Sequence, residues 1–141
     1  MKVLNENFIF YLTIYCYNLD IDKIKYYIEN GCDVNIKNKN NWSPLHYVCE
    51  SDNNSHIVKY LVENGADINS QNNSGWTPLM RAVFNKKHQI VKYLLELGAD
   101  IDIKNNDGIS ALNLTKYCNS PDIINLLRRY YEHRYLTDLG F

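Results

Sequence analysis

The stretch Gly65-Ala-Asp-Ile-Asn69-Ser-Gln-Asn-Asn-Ser-Gly75-Trp-Thr-Pro-Leu-Met80 decides how the whole chain is read. It joins the end of one helix to the start of the next. Gly65 stands where a helix closes in the left-handed region that glycine enters without penalty. The polar run from Asn69 to Gly75 has the composition of a turn. Thr77 supplies a capping hydroxyl, and Pro78 follows at the first helical position, where a missing N–H costs nothing. Apolar residues then recur at helical spacing: Leu79, Ala82 and Val83, and after a short break Ile90, Val91, Leu94 and Leu95.

Outward from this stretch the same pieces return. Gly31-Cys-Asp-Val-Asn35 precedes Gly65, and Gly98-Ala-Asp-Ile-Asp102 follows it, at a constant period to within one position. Trp42-Ser-Pro-Leu-His46, Trp76-Thr-Pro-Leu-Met80 and Ile109-Ser-Ala-Leu-Asn113 keep that register, as do Ile57-Val-Lys-Tyr-Leu61, Ile90-Val-Lys-Tyr-Leu94 and Ile123-Ile-Asn-Leu-Leu127. Three series in one register point to stacked helix pairs, because no single pair can bury its apolar face alone.

The period of about 33 residues, the Ser/Thr-Pro-Leu start and the Gly-Ala-Asp-Ile/Val-Asn end resemble the ankyrin-repeat family over nearly the whole chain. The resemblance implies an all-α solenoid of about four helix-turn-helix units with hairpin-like turns projecting sideways. The chain then reads as one domain, 1–141. An N-terminal capping repeat spans 1–35, two nearly complete repeats span 36–69 and 70–102, a C-terminal capping repeat spans 103–130, and an extension covers 131–141. Repeat one lacks a turn and the Ser/Thr-Pro-Leu motif. Repeat four has Ala111 for proline and carries Thr115 and Lys116 where repeat three has Ala82 and Val83. Such departures read as the caps of a complete short protein, since a terminal unit faces water on one side. Leu45, Leu79 and Leu112 are the expected interior leucines, one per repeat. Leu45 to Ile57 is one residue longer than Leu79 to Ile90, and Ser51–Ser55 absorbs the excess. Arg128, Arg129 and Arg134 with Tyr130, Tyr131 and Tyr135 are expected to continue the last helix as a polar cap.

Composition narrows the function. Hydrophobic residues make up 45% and charged residues 22%, as in ordinary globular chains, and the net charge is −1. Without surplus positive charge, nucleic acid is not an expected partner. No apolar stretch is long enough to span a bilayer. Phe8–Tyr17 after Lys2 has the outline of a secretory signal, but Glu6, the tyrosines and the lack of a small-residue cleavage site argue against one. Cys16, Cys32, Cys49 and Cys118 contain no C-x-x-C pair. Four cysteines allow two disulfides, yet their apolar or turn surroundings favour reduced thiols in a cytoplasmic protein.

No catalytic residues, metal site or cofactor are expected. His46 and Cys49 share a helix face and invite a thiolate–imidazole pair, but no third orienting group lies nearby in sequence. His46 matches the family's Thr-Pro-Leu-His motif, which implies a local hydrogen bond holding the turn. Adding His56 gives no standard zinc spacing. No phosphate-binding glycine motif occurs.

The resemblance implies a binding scaffold whose turns and first helices meet a partner protein. Carried over by position, the contact residues are Lys37, Lys39, Trp42 and Glu50 in repeat two. Repeat three contributes Gln71, Asn73, Trp76, Phe84 and Asn85, and repeat four contributes Lys104, Asp107, Ile109 and Tyr117. Trp42 and Trp76, one period apart, are the expected centre, with Ile109 extending the row. Asn69, in a Leu61-x5-Asp67-x-Asn69 arrangement, resembles the asparagine hydroxylated in other ankyrin repeats, and Asn35 and Asp102 fit that pattern less well. Twenty asparagines, fourteen isoleucines and twelve tyrosines suggest an AT-rich genome. Ankyrin proteins of this flavour resemble those with which large DNA viruses and intracellular bacteria engage host proteins. The expected function is a monomeric module that binds a host signalling protein. The alternative is an assembly protein or a self-associating stack.

Overall fold

The computed structural model describes residues 1–140. Eight helices follow in order: α1 (Lys2–Tyr15), α2 (Ile21–Glu29), α3 (Pro44–Val48), α4 (Ser55–Glu63), α5 (Pro78–Phe84), α6 (His88–Glu96), α7 (Ala111–Cys118) and α8 (Pro121–Asp138). They form four pairs, and the odd-numbered helices are the first, inner members. The only bridge outside helices among the described residues joins Lys104 to Ser110. The chain is an all-α repeat stack.

The helix ends follow the sequence chemistry. Ser43 and His46 form a capping box on α3. Thr77 Oγ1 accepts from the Met80 N–H, and Ser110 caps α7 with Asn113 completing the box. Gly31, Gly65 and Gly98 close the second helices at φ of 92°, 93° and 92°, a region costly for any side chain. One apolar core runs through all four pairs, with Leu12, Ile24, Leu45, Ile57, Leu79, Ile90, Ile123 and Leu127 all enclosed. Leu112 departs from expectation. It is only half-buried, while Ala111 and Leu114 face the core. Among the described residues no fifth pair covers α7, so one flank of that leucine meets water.

The extra residue of repeat two forms a single 3₁₀ turn, Asp52–Asn54, and it does more than take up slack. Asn54 is fully buried. Its Oδ1 accepts from the Leu19 N–H at 3.1 Å, and its amide donates to the carbonyls of Cys16 (2.6 Å) and Val48 (3.3 Å). One side chain thus satisfies backbone groups of the loop between α1 and α2 that would otherwise be buried unpaired. α8 runs without a break through residue 130 to Asp138, so residues 131–138 are the last turns of one helix. Phe141, the end of the expected extension, lies outside the described residues.

Candidate functional site

Each connecting turn is built around an asparagine. Asn38, Asn72 and Asn105 accept at Oδ1 from the N–H two residues on and from that of Trp42, Trp76 and Ile109, each of the latter at 3.0 Å. This closes the loop and delivers residues 42, 76 and 109 to the same place beside the next inner helix. Asn41, Gly75 and Gly108 take the left-handed position of the three turns. Gly75 is required twice over, since a Cβ there would stand 2.7 Å from the Asn106 backbone nitrogen.

The turns are stitched to one another. Asn73 N–H donates to the Asn40 carbonyl (3.0 Å) and Asn106 N–H to that of Ser74 (3.1 Å). Asn73 also accepts from the Asn41 amide at 2.7 Å, and Gln71 Nε2 reaches the Lys104 carbonyl at 3.2 Å. Asn35 Oδ1 accepts from the Asp67 N–H (2.7 Å), and Asn69 Oδ1 from that of Asp100 (2.8 Å). The structure therefore places Gln71, Asn73 and Asn69 in the joints between repeats, and only Lys37, Lys39, Lys104 and Asp107 stand as plain exposed turn residues.

Trp42, Glu50, Trp76, Phe84 and Asn85 come together on the inner face, around a residue that sequence reasoning missed. Arg81 on α5 lies with its guanidinium carbon 4.7 Å from the Trp42 ring centre and 6.0 Å from that of Trp76. It forms a close ion pair with Glu50, whose other oxygen accepts from Asn85 Nδ2 at 3.3 Å. Phe84 meets Trp76 edge to face at 5.4 Å. A guanidinium over an indole is attracted by the ring's negative face, by about 2 kcal/mol when water is excluded. Both indoles are half-buried against the core. Their row is therefore a shared cluster with a neutralised charge pair in it, rather than a bare apolar stripe. The sequence signal for Arg81 was slight: one charged residue between the apolar positions Met80 and Ala82. Ile109 is half-buried, and Tyr117 stands clear on α7.

His46 holds repeats two and three together. Its Nδ1 accepts from the Ser43 N–H at 3.1 Å, and its Nε2 lies 2.8 Å from the Trp76 carbonyl. An Nδ1 that accepts leaves the proton on Nε2, which then donates to Trp76. Burial lowers the His46 pKa to about 4 and keeps the ring neutral. Cys49 is not among the partners of His46; its thiol donates to the Leu45 carbonyl at 3.2 Å, and complete burial pushes its pKa far up. A thiolate–imidazole pair is thus not formed. All four cysteines are free.

Among the described residues no helix is long and apolar enough to cross a membrane. No curated protein gives a significant match to the chain. The family model for ankyrin repeats, three copies, matches residues 12–107, well over half of the length. Ankyrin repeats generally serve protein–protein interaction, and their proteins are typically not enzymes. With the matching register, caps and interlocked turns, the chain belongs to the ankyrin-repeat family.

Proposed function

We propose that the chain is a cytoplasmic, monomeric module that holds a partner protein on its inner helices and turns, without catalysis, cofactor or metal, and without nucleic acid or membrane as ligand. The observation that carries this reading is the pair Phe84 and Tyr117. They are 48% and 68% exposed, stand at the ends of α5 and α7, and lie one period apart in the same register. Large aromatic side chains left in water beside a packed indole cluster are the usual anchors of an interface. Trp42, Arg81 and Trp76 form the floor next to Phe84, and the exposed turn residues Lys37, Lys39, Lys104 and Asp107 form the rim.

The proposed partner is a signalling protein of a host cell. Support for that comes from composition, which resembles that of ankyrin proteins from AT-rich viruses and intracellular bacteria. Asn69 is the proposed acceptor for asparaginyl hydroxylation, on the strength of its Leu61-x5-Asp67-x-Asn69 setting. Mass spectrometry should then find the added oxygen at Asn69 ahead of Asn35.

Affinity purification from host cells with the natural chain and with the double variant Phe84→Ala, Tyr117→Ala tests the surface. A partner should be captured by the first and lost, by about 2 kcal/mol of affinity or more, from the second. Both proteins should stay folded, the variant losing in thermal melts only the Phe84–Trp76 contact, about 1 kcal/mol. A partner held equally by both proteins places the contact elsewhere. A chain that elutes as an oligomer by light scattering favours the self-associating stack.

A further inference from the structure

The ladder of turns has an open donor edge at its N-terminal end. From turn to turn the bond repeats: Asn106 N–H to the Ser74 carbonyl, and Asn73 N–H to the Asn40 carbonyl. The same place in the first turn, one period before Asn73, belongs to Lys39. Its N–H donates to no backbone carbonyl among the described residues, since the residues one period earlier lie in α1. In place of a turn the chain has a long α1. This helix begins at Lys2, well ahead of Tyr11, the register equivalent of Pro44.

Between α1 and the first turn lies a groove of about 450 Å³. Ile9, Phe10 and Ile14 form its helix side, Lys37 and Lys39 its turn side, and Glu6 also lines it. Phe10 is 67% and Ile14 56% exposed, and they stand one helical turn apart on one face. Neither lysine takes part in an ion pair among the described residues.

We infer that this groove takes an extended acidic–apolar segment of a partner protein in the position of the missing turn. A main-chain carbonyl of the segment accepts from the Lys39 N–H, as Asn40 accepts from Asn73. An extended chain sends alternate side chains to opposite faces. One set lies on Phe10 and Ile14, and the other brings carboxylates to Lys37 and Lys39. Open edges recruit strands through main-chain bonds, with pockets for alternate residues setting specificity. The two unpaired cations choose the acidic class, since a basic segment would meet like charges on the rim. Glu6 confines the acidic positions to the turn side. This inference rests on the protein-binding reading and adds to its Phe84–Tyr117 surface a second contact place with a segment class of its own.

A displayed library of short random linear peptides, panned on the full chain, tests it. The enriched peptides should alternate apolar residues with Asp or Glu. They should bind Ile14→Asp at least about tenfold more weakly. The double variant Lys37→Glu, Lys39→Glu should also lose them and should accept peptides whose acidic positions are changed to Lys. Circular dichroism and melting of these variants should be unmoved, because the replaced side chains are exposed. Peptides that keep their affinity for Ile14→Asp, or a library that yields no enrichment, overturn the site. A dimer by light scattering that Ile14→Asp dissolves makes a second copy the occupant and overturns it as well. Peptides sensitive to Phe84→Ala and Tyr117→Ala but not to Ile14→Asp keep the protein-binding reading and remove this groove from it.

Discussion

The two ends of the stack are closed by opposite means. At the N-terminal end the closure is apolar and hydrogen-bonded from within. Phe8, Leu12 and Ile24 are fully enclosed, Phe8 stacks on Tyr27 at 4.9 Å, and Tyr11 Oη accepts from the Asp20 N–H at 2.6 Å. The buried Asn54 amide locks this repeat onto the next. At the C-terminal end Ile123 and Leu127 are enclosed as well, but the outermost contacts are polar. Asp102 stands where Asn69 staples the preceding joint, and among the described residues no further turn receives it. The last turns of α8 reach back, so that Arg134 lies 3.4 Å from Asp100 and 3.6 Å from Asp102, and Tyr130 Oη donates to the Leu95 carbonyl. Burial contributes in proportion to area and ignores salt. Exposed charge pairs contribute little and are screened. The end held by packing should therefore be the stronger. Both ends leave large side chains in water, Phe10 and Ile14 on α1 and Tyr135 and Leu136 on α8.

The register-equivalent leucines put that contrast to the hardest test. Leu12→Ala empties an enclosed site and should cost about 2–5 kcal/mol, seen as a lowered urea midpoint. Leu112→Ala, at a half-buried site, should cost less than half as much. Equal shifts would mean that the two ends are equivalent after all.

The middle of the stack carries a different vulnerability, which pH exposes. His46 has a folded pKa of about 4 against about 6.5 in an unfolded chain. Between those values the unfolded state binds more protons, so stability falls as the pH drops from about 7 to about 4 and then levels off. The whole loss from this group is about 3 kcal/mol. His46→Gln should remove that part of the slope in urea titrations compared at several pH values. A variant with the natural slope would assign the acid sensitivity to other groups.

Asn54→Ala should be next in size. It leaves the Leu19 N–H and the Cys16 carbonyl without their partner, at about 2 kcal/mol. Amide exchange should speed up in α1 and α2 and stay unchanged in α7 and α8. Uniform acceleration would show that the N-terminal repeat does not open separately. Arg134→Ala should have the smallest effect, at most about 0.5 kcal/mol, because its pairs are half in water. Raising the salt should erase even that difference between natural and variant chains. A larger, salt-resistant loss would show that the polar end is held by more than charge.

The architecture was legible because repetition multiplies weak signals. One Thr77-Pro78 or one Gly65 proves little, whereas three copies at one period fix pairs, caps and turns together. The site was legible in part. Trp42 and Trp76 were located by register, but the cation between them was not. Arg81, Glu50 and Asn85 meet from repeats whose sequences stand about one period apart, and nothing local marks which charge will pair.

What the sequence determined by itself is everything that depends on short-range geometry: left-handed glycines, capping hydroxyls, helical spacing and the period. Only the tertiary structure decided the rest. Asn54 became a buried lock, and Leu112 lost its cover. Lys39 was left with an open N–H beside an apolar groove. Each outcome depends on which neighbour is present or missing across an interface. A linear pattern encodes that only as position in the stack, because burial and hydrogen-bond satisfaction belong to pairs of repeats and not to either one alone.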